Sequence, residues 1–366
     1  MRVYCRLEVF MSKKNNRSSS KRTMLIVLCA LLSLILLLLV LGTVYLEYMM
    51  NLIGRVEDNG NTTMSSEEYE QWLQNQTETL DPDFTGEVLD PTDITWGEAT
   101  APVEQGENII NILLIGQDRR EGEGRARSDA MILCTINKAA KTLTMTSFMR
   151  DMYVQIPGYH DNRINASYEL GGMKLLDACL EKNFGVQVDG NVEVDFTRFM
   201  EIIDMLGGVD MELTSAEANY LNSRGNWDVN DSTAGQWNLK AGKNHLTGEQ
   251  ALAYSSIRYV GNGDFDRTER QRKVLNALLD KAKGLSMLEL NDLLQKMLPM
   301  LTTDMSNAQI LGYALELFPM LTELEMVTQR VPADGTYSDA VINGMMVLKV
   351  DLEANRKLLQ NCMREQ

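Results

Sequence analysis

The chain has 366 residues, a formal net charge of -16, 7% aromatic residues and 23% charged residues. This length allows one large domain or two ordinary ones, and the composition is that of a globular protein rather than a disordered one. So acidic a surface repels a polyphosphate backbone, which argues against non-specific nucleic-acid binding. Five cysteines without a CxxC pair and only two histidines argue against a disulfide framework, a zinc site and a serine–histidine site.

An uncharged stretch of 23 residues, 24–46, is long enough to span a membrane as one helix. A cleaved signal peptide would have a shorter apolar region and a small-residue cleavage site. Closely preceding the stretch are Lys13, Lys14, Arg17, Lys21 and Arg22, and mostly acidic residues follow it. This asymmetry predicts a cytoplasmic tail over 1–23 and places the remainder of the chain on the outer side of the membrane.

Residues 47–106 are acidic and rich in Asn, Thr, Asp and Pro. The segment 66–73 has the pattern of a short helix. The other residues of 47–106 are typical of an extracellular linker that holds a domain away from the membrane.

Three strands are predicted next, over 108–115, 130–136 and 142–148. Short connections favour antiparallel pairing, so the end of the first strand, the start of the second and the end of the third meet at one edge. The charged residues at that edge are Asp118, Arg127, Asp129, Arg150 and Asp151. Carboxylates among arginines suit a hydrated divalent cation that bridges phosphate oxygens; solvated loop charges are the alternative interpretation.

The segment GDFDRTERQRKVLNALLDKAK carries the second group of charges. Asp266 resembles a capping-box start and predicts a helix over 267–283. Arg267 and Gln271 fall on the stripe that becomes the core face, and Arg272 points away towards solvent. A core-facing arginine at a helix N-terminus is unfavourable unless an anion binds there, so an anion site or an ion pair with a nearby aspartate is expected.

Upstream, the residues 247–258 predict another helix, which ends near Arg258 and directs that arginine towards the same pocket. Two later amphipathic helices are rich in Met and Leu, which suits a protein core or the lining of a site for an isoprenoid chain. Further strands over 324–331 and 345–350 would extend the sheet. The predicted fold is therefore an α/β domain, an α-β-α sandwich in which a mixed central sheet has helices on both faces.

These motifs, in this order, resemble the LytR-CpsA-Psr family of cell-wall enzymes. The matching stretches are NILLIGQDRR, RSDAMI, SFMRDMYVQIPG, RINASYELGG, LGGVD, LTGEQALAYSSIRY and GDFDRTERQRKV, and the C-terminal stretch VPADGTYSDAVINGMMVLKVDLEANR is also similar. The resemblance implies a catalytic domain over 107–362 in a protein of the bacterial cell membrane. The implied reaction moves an anionic glycopolymer, such as teichoic acid or capsular polysaccharide, from a polyprenyl (undecaprenyl) pyrophosphate carrier to peptidoglycan.

Carried onto this chain, the resemblance implies that Asp118 and Asp129 hold Mg²⁺ or Mn²⁺. The residues that it implies for pyrophosphate binding are Arg127, Arg150, Arg258, Arg267 and Gln271. The candidate catalytic residues are Arg127, Arg150 and Asp151; Asp151 is either the base for the attacking hydroxyl or a residue that only orients Arg150. One position departs from the family pattern: Ser256 stands where the family commonly has an arginine two residues before Arg258. Two other functions stay open, a polyprenyl pyrophosphate hydrolase and a non-catalytic lipid-phosphate-binding or regulatory protein.

Overall fold

The computed structural model describes residues 33–37, 40–56, 64–74, 84–96, 105–117, 125–224 and 237–364. Its contacts divide the chain into two units, Met1–Leu52 and Ile53–Gln366. The expected metal ligand Asp118 and the cytoplasmic tail predicted over 1–23 lie outside the described residues.

The strands are β1 Gly54–Arg55, β2 Glu87–Leu89, β3 Ile109–Gln117, β4 Ser128–Asn137, β5 Thr142–Phe148, β6 Tyr153–Val154, β7 Asn162–Arg163, β8 Gly190–Asp195, β9 Val209–Leu213, β10 Gly242–Leu246, β11 Thr302–Thr303, β12 Glu325–Val331, β13 Tyr337–Ile342 and β14 Met345–Val350. The helices are α1 Ser33–Met50, α2 Ser66–Gln74, α3 Ile164–Phe184, α4 Phe196–Met205, α5 Ser215–Arg224, α6 Gly248–Ser255, α7 Asp264–Lys283, α8 Met287–Met297, α9 Asn307–Leu317 and α10 Leu352–Met363.

The first unit contains α1, an apolar helix that overlaps the predicted membrane span 24–46. Its 18 residues have a mean hydropathy of 2.0, and 6% of them are buried within the structure. Length and composition therefore make α1 a candidate membrane anchor. The start of the predicted span, 24–32, lies outside the described residues.

The second unit is built on a seven-stranded mixed sheet with the order β1-β11-β8-β3-β4-β5-β12. The meander β3-β4-β5 is antiparallel, as predicted, and β12 lies parallel to β5. On one face, α3 and α10 pack over a core that includes Leu113, Leu133 and Phe148. On the other face, α9 packs over Ile110 and Ile136, and α4 and α7 contact the neighbouring strands. Helices on both faces of a mixed sheet confirm the predicted fold class.

The prediction that 345–350 extends this sheet is wrong. β14 pairs antiparallel with β13 in a separate three-stranded sheet that β2 completes. The two residues between β13 and β14 are Asn343 and Gly344, both with positive φ (52° and 74°). Asn-Gly in this conformation forms the tight turn of a two-residue hairpin, so β14 folds back onto β13.

Three segments of the predicted linker 47–106 are packed parts of the second unit. β1 pairs in parallel with β11, β2 pairs in parallel with β13, and Tyr69 of α2 belongs to the main core. The linker interpretation does not hold for these segments, because β1 and β2 pair with strands of the second unit and Tyr69 is buried in its core. The helix predicted over 66–73 is present as α2.

Candidate functional site

The edge at which β3, β4 and β5 meet contains a β-bulge. Gly116 pairs with Ala130 and Gln117 pairs with Ser128, so Asp129 is the extra residue between two paired positions. A bulge re-aims the side chain of its extra residue. The bulge therefore places the Asp129 carboxylate beside Arg150, which follows β5.

Arg150, two residues after β5, contacts three carboxylates. Its Nη1 lies 2.5 Å from Asp129 Oδ1, and its Nε lies 3.2 Å from Asp264 Oδ2 and 3.4 Å from Asp151 Oδ2. The predicted meeting of the three strand ends therefore brings Asp129, Arg150 and Asp151 together, with Asp264 of α7 as a partner that the sequence did not reveal.

Two further arginines reach these carboxylates from α7 and from the loop after α6. Arg267 is 3% exposed, and its Nη2 lies 3.0 Å from Asp264 Oδ2 while its Nη1 lies 3.9 Å from Asp129 Oδ1. Arg258 is 3.3 Å from Asp264 and 3.9 Å from Asp129. We refer to Asp129, Arg150, Asp151, Arg258, Asp264 and Arg267 as the arginine–aspartate cluster.

Burial and mutual charge shift the pKa values within this cluster. Burial raises the pKa of the Asp151 carboxyl despite the nearby Arg150 and Arg163. Burial also acts to raise the pKa of Asp264, but Arg267, Arg150 and Arg258 hold it below its usual value, and a hydrogen bond from the Asp151 carboxyl acts in the same direction. Asp264 is therefore the ionised partner, and Asp151 retains a proton to higher pH than an ordinary aspartate.

Arg150 and Arg267 stay charged at neutral pH. Burial lowers the pKa of Arg267 to about 10, with Arg150 and Arg258 acting in the same direction against Asp264. Burial also acts to lower the pKa of Arg150, but Asp151, Asp264 and Asp129 together raise it above the usual value for arginine. A buried guanidinium that keeps its charge is suited to binding an anion.

A cavity of about 330 Å³ opens at the cluster, and we call it the arginine cavity. Its lining consists of Ala126, Arg127, Asp129, Arg150, Asp151, Arg163 and Asn165. Asn165 Oδ1 is buried without a hydrogen-bond partner among the described residues, and Nε of the neighbouring Arg267 is in the same state. Buried polar atoms are nearly always paired in native proteins, so these two atoms have room for a hydrogen bond with a water molecule or a polar ligand.

The other residues singled out in the sequence are Arg127, Gln271 and Ser256, and of these Arg127 lines the arginine cavity. Arg127 lines it, with its Nε 3.1 Å from Glu169 Oε2 and its guanidinium carbon 5.3 Å from the centre of the Trp72 ring. Gln271 is half-buried one turn beyond Arg267, and its side chain makes no hydrogen bond to the cluster within the described part of the chain. Ser256, half-buried, ends α6 as its C-cap.

Two expectations for α7 are wrong. The helix starts at Asp264 rather than at 267, and Asp266 accepts a hydrogen bond from the Asn262 backbone instead of capping it. Arg272 is buried rather than solvated, because α7 packs on two sides: Val274 belongs to one core cluster, and Thr268 contacts Met149 beside the sheet. Asp264 directly follows Gly261-Asn262-Gly263, and this position in the sequence was the available signal for its role.

Arg163 and Asn165 are also site residues that sequence reasoning missed. Arg163 is buried, donates to the Met346 carbonyl at 3.0 Å and lies 3.5 Å from Asp151 Oδ1. Both residues belong to the stretch RINASYELGG. That stretch was recognised only as a family motif, since nothing in its local pattern places it beside β5.

The donor set available for a metal ion is small. No group of three or more His, Cys, Asp or Glu side chains in the described part of the chain is arranged to hold a metal. All three arginine contacts of Asp129 approach the same oxygen, Oδ1. The second oxygen therefore remains as a candidate ligand, and further ligands would have to come from Asp118 and from phosphate oxygens, as magnesium sites on phosphate substrates commonly arrange.

An apolar row begins near the cluster on the sheet face opposite α3. Its members are half-buried and share that face by register: Ile112, Leu114, Cys134, Val192 and Val194. Central strands under covering helices are normally fully buried, because protein interiors are close-packed. Partial exposure of this row therefore means that it is less closely covered than the opposite face of the same strands, where Leu113 and Leu133 are fully buried.

A comparison with protein families gives a match over most of the chain. The model described as the "LytR_cpsA_psr family" matches residues 59–364. The chain belongs to the LytR-CpsA-Psr family.

Relatives within the LytR-CpsA-Psr family have been named. The chain is 32% identical over 263 residues to the polyisoprenyl-teichoic acid–peptidoglycan teichoic acid transferase TagT of Bacillus subtilis, covering 70% of this chain and 78% of TagT. It is 28% identical over 275 residues to the regulatory protein MsrR of Staphylococcus aureus, covering 75% of this chain and 80% of MsrR.

Solved structures of LytR-CpsA-Psr proteins share the fold. A structure described as TagT bound to LIIa-WTA has a TM-score of 0.57 and 31% identity, over 70% of this chain and 91% of that one. A structure of YwtF (TagT) with bound octaprenyl pyrophosphate lipid has a TM-score of 0.51 and 29% identity, with the same coverage.

Proposed function

We propose that this chain is a phosphotransferase that moves an anionic glycopolymer from a polyprenyl pyrophosphate carrier to peptidoglycan. The observation that carries the proposal is the arginine–aspartate cluster, in which three arginines converge on carboxylates at the mouth of the arginine cavity. The TagT relative, named as a transferase of teichoic acid to peptidoglycan, supports the same substrate class.

The arginines suit the pyrophosphate part of the donor. Arginine presents a planar fork that meets phosphate oxygens at two points and stays charged. Arg150, Arg258 and Arg267 come from three different segments, so a pyrophosphate bound among them would contact several donors held in a fixed arrangement. The unpartnered Arg267 Nε supplies one further donor.

The apolar row suits the lipid part of the donor. A polyprenyl chain is a long flexible hydrocarbon, and transfer of such a chain from water to an apolar gap is favourable in proportion to the buried area. The row starts at the sheet edge that carries Asp129 and continues under the covering helices. A charged head and an apolar tail can therefore be held side by side.

In the proposed reaction, a sugar hydroxyl attacks the phosphorus that bears the polymer. A new P–O bond to the acceptor oxygen forms, the bond to the polyprenyl phosphate breaks, and polyprenyl phosphate leaves. The hydroxyl proton passes to Asp151, whose raised pKa makes its carboxylate a stronger base than that of an ordinary aspartate. The arginines stabilise the charge that develops on the phosphate oxygens.

A magnesium or manganese ion is part of the proposal. It would be held by Asp118 and Asp129 and would neutralise charge on the phosphate oxygens when bound. The arginines of the cluster hold the pyrophosphate in place and keep Asp129 oriented.

We also propose that the second unit lies on the outer side of the bacterial cell membrane, with the N-terminus in the cytoplasm. The basic residues that precede the span support this orientation. Lipid-linked glycopolymers and peptidoglycan would then be on the same side as the arginine cavity.

A matched pair of variants tests the site. Arg258→Ala removes a guanidinium that is 40% exposed and 3.3 Å from an aspartate, and Arg198→Ala removes one that is 39% exposed and 3.2 Å from an aspartate outside the cluster. With a synthetic polyprenyl-pyrophosphate-linked glycopolymer and peptidoglycan strands, we expect transfer to fall about 100-fold in Arg258→Ala. Arg198→Ala is expected to retain activity near that of the wild type. Equal activity of the two variants would contradict the role of the cluster.

The products separate this function from two others. A hydrolase releases polymer phosphate equally with and without peptidoglycan, whereas a transferase forms a polymer–glycan phosphodiester. The MsrR relative, named as a regulatory protein, and Ser256 at an arginine position favour testing a third function, binding of polyprenyl pyrophosphate without turnover. Binding in magnesium with no product of either kind would support that third function.

A further inference from the structure

A second cavity of about 370 Å³ adjoins the arginine cavity, and Asp151 lies in the wall of both. We call it the carboxylate cavity. Its other walls include Asp264 and Phe265 from the start of α7, Asp339 of β13, and Phe84 and Gly86 from the segment before β2. Its volume falls within the usual range for a small-ligand pocket.

The two cavities differ in charge. The arginine cavity is lined by Arg127, Arg150 and Arg163. The carboxylate cavity has three aspartates in its lining and neither lysine nor arginine among the described residues that form it. The arginine cavity therefore offers guanidinium groups to an anionic polymer, and the lining of the carboxylate cavity offers none.

The walls of the carboxylate cavity are held in place. The Phe265 ring lies 5.0 Å from the Tyr337 ring and 4.6 Å from the Arg330 guanidinium carbon. Phe84 folds over Gly86, where an added Cβ would lie 2.2 Å from Phe84 Cζ and 2.6 Å from the Asp339 carbonyl oxygen. Only glycine at position 86 therefore permits the close approach of Phe84 and β13 that shapes this wall.

This lining fits an uncharged sugar. Carboxylate oxygens accept hydrogen bonds from hydroxyl groups, and aromatic and methionine side chains pack against the C–H faces of a sugar ring. A pocket that is mainly apolar with a few convergent polar groups orients its ligand through those groups.

We propose that the carboxylate cavity binds a neutral, hydroxyl-bearing sugar of the acceptor glycan and directs one hydroxyl at Asp151. This inference rests on the function proposed above. Phosphoryl transfer places the attacking and leaving oxygens roughly in line. With the donor pyrophosphate among the arginines, the attacking oxygen enters from the other side of Asp151, where the carboxylate cavity lies, and Asp151 takes its proton as the new P–O bond forms.

Variants in the part of the cavity farthest from the cluster test the inference. Phe84→Ala removes an aromatic wall, and Asp339→Asn replaces a carboxylate by a neutral group of the same shape. Val88→Ala is the matched control, since Val88 lies on the adjoining strand β2 and is 75% exposed. The assay measures transfer by the full chain in detergent, with the KM for peptidoglycan strands and the KM for the lipid-linked donor determined separately.

We expect Phe84→Ala and Asp339→Asn to raise the KM for peptidoglycan about fivefold or more, as the loss of one contact or hydrogen bond does. The KM for the donor and the behaviour of Val88→Ala are expected to remain at the wild-type level. A raised KM for the donor would assign the cavity to the first sugar of the donor and overturn the inference. Unchanged KM values for both substrates would also overturn it.

If the proposed function is wrong, the result is different, because the wild type then transfers no polymer to peptidoglycan. Direct binding of a neutral N-acetylglucosamine tetrasaccharide then decides the inference without turnover. Weaker binding to Phe84→Ala than to the wild type and Val88→Ala supports a sugar site in this cavity. Equal binding to all three, or none to the wild type, overturns it.

Discussion

At the scale of single residues, the carboxyl of Asp151 is unusual, because nearby arginines normally lower the pKa of an aspartate. It is buried beside Arg150 and Arg163 and yet has a raised pKa, because burial outweighs both positive charges. Below that raised pKa the carboxyl is protonated and cannot accept a proton; above it the carboxylate can. Transfer is therefore expected to rise with pH through the raised pKa, at a higher pH than the value of about 3.9 for an ordinary aspartate would give.

Asp151→Asn tests this expectation. We expect kcat to fall by a factor on the order of 10² to 10⁴, as is usual for loss of a general base, and the rise of activity with pH to disappear. The measurement is the pH profile of kcat from pH 4 to 9. Asp292→Asn, at an exposed aspartate of α8 paired with Lys296, serves as the control. Persistence of the wild-type rise in Asp151→Asn would assign the base to another group.

At the scale of elements, Arg270 joins three segments behind the site. Its Nε lies 2.7 Å from Glu217 of α5, and its two terminal nitrogens donate to the carbonyls of Ile257 and Val260 at 3.1 and 2.9 Å. Both charged side chains are buried. This pair therefore fixes the loop that carries Arg258 against α7.

Arg270→Met is expected to lower the free energy of unfolding by about 3 kcal/mol, because it leaves a buried carboxylate without its partner. Lys273→Met on the same helix breaks an exposed pair with Glu269 and is expected to change stability by less than about 0.5 kcal/mol. Denaturant unfolding of the two variants measures the difference. Similar midpoints for both would mean that the buried pair does not hold the loop.

The elements also show where sequence reasoning succeeds. The strands β3 and β4 are largely apolar, β5 alternates Leu, Met and Phe with Thr and Ser, and the connections are short. Their antiparallel order and the shared edge of Asp129, Arg150 and Asp151 could therefore be predicted. The burial of Arg272 could not be predicted, because a helical wheel assumes that a helix packs against one core, and α7 packs against two. Asp264 was missed for a related reason: a capping pattern at Asp266 displaced the helix start by three residues.

The linker segments were mispredicted because composition averages over long stretches. β1 and β2 have two and three residues, too few to alter the character of an acidic region. Their pairing depends on strands that lie more than 200 residues later in the chain, β11 and β13. No local pattern encodes pairing at such a distance.

At the scale of the whole molecule, α1 and the basic residues before it predict a defined topology. In intact protoplasts, added protease is expected to degrade the second unit, whereas a tag fused before Met1 stays protected, because lysine and arginine remain on the cytoplasmic side. Immunoblots for the tag and for the C-terminus, before and after detergent treatment, measure this. A C-terminal unit that is protected until detergent is added would reverse the orientation.

The bulge at Asp129 also constrains how this protein can vary. Removing Asp129 would make residues 128 and 130 adjacent and restore regular pairing with Gln117 and Gly116. The carboxylate would be lost from the site, whereas Met131 and Leu133 would keep their partners and their place in the core. Insertions and deletions are therefore expected to be tolerated in the charged loop that precedes β4 but not within the first three residues of β4. The number of residues between Arg127 and Met131 is as much a part of the site as the side chains themselves.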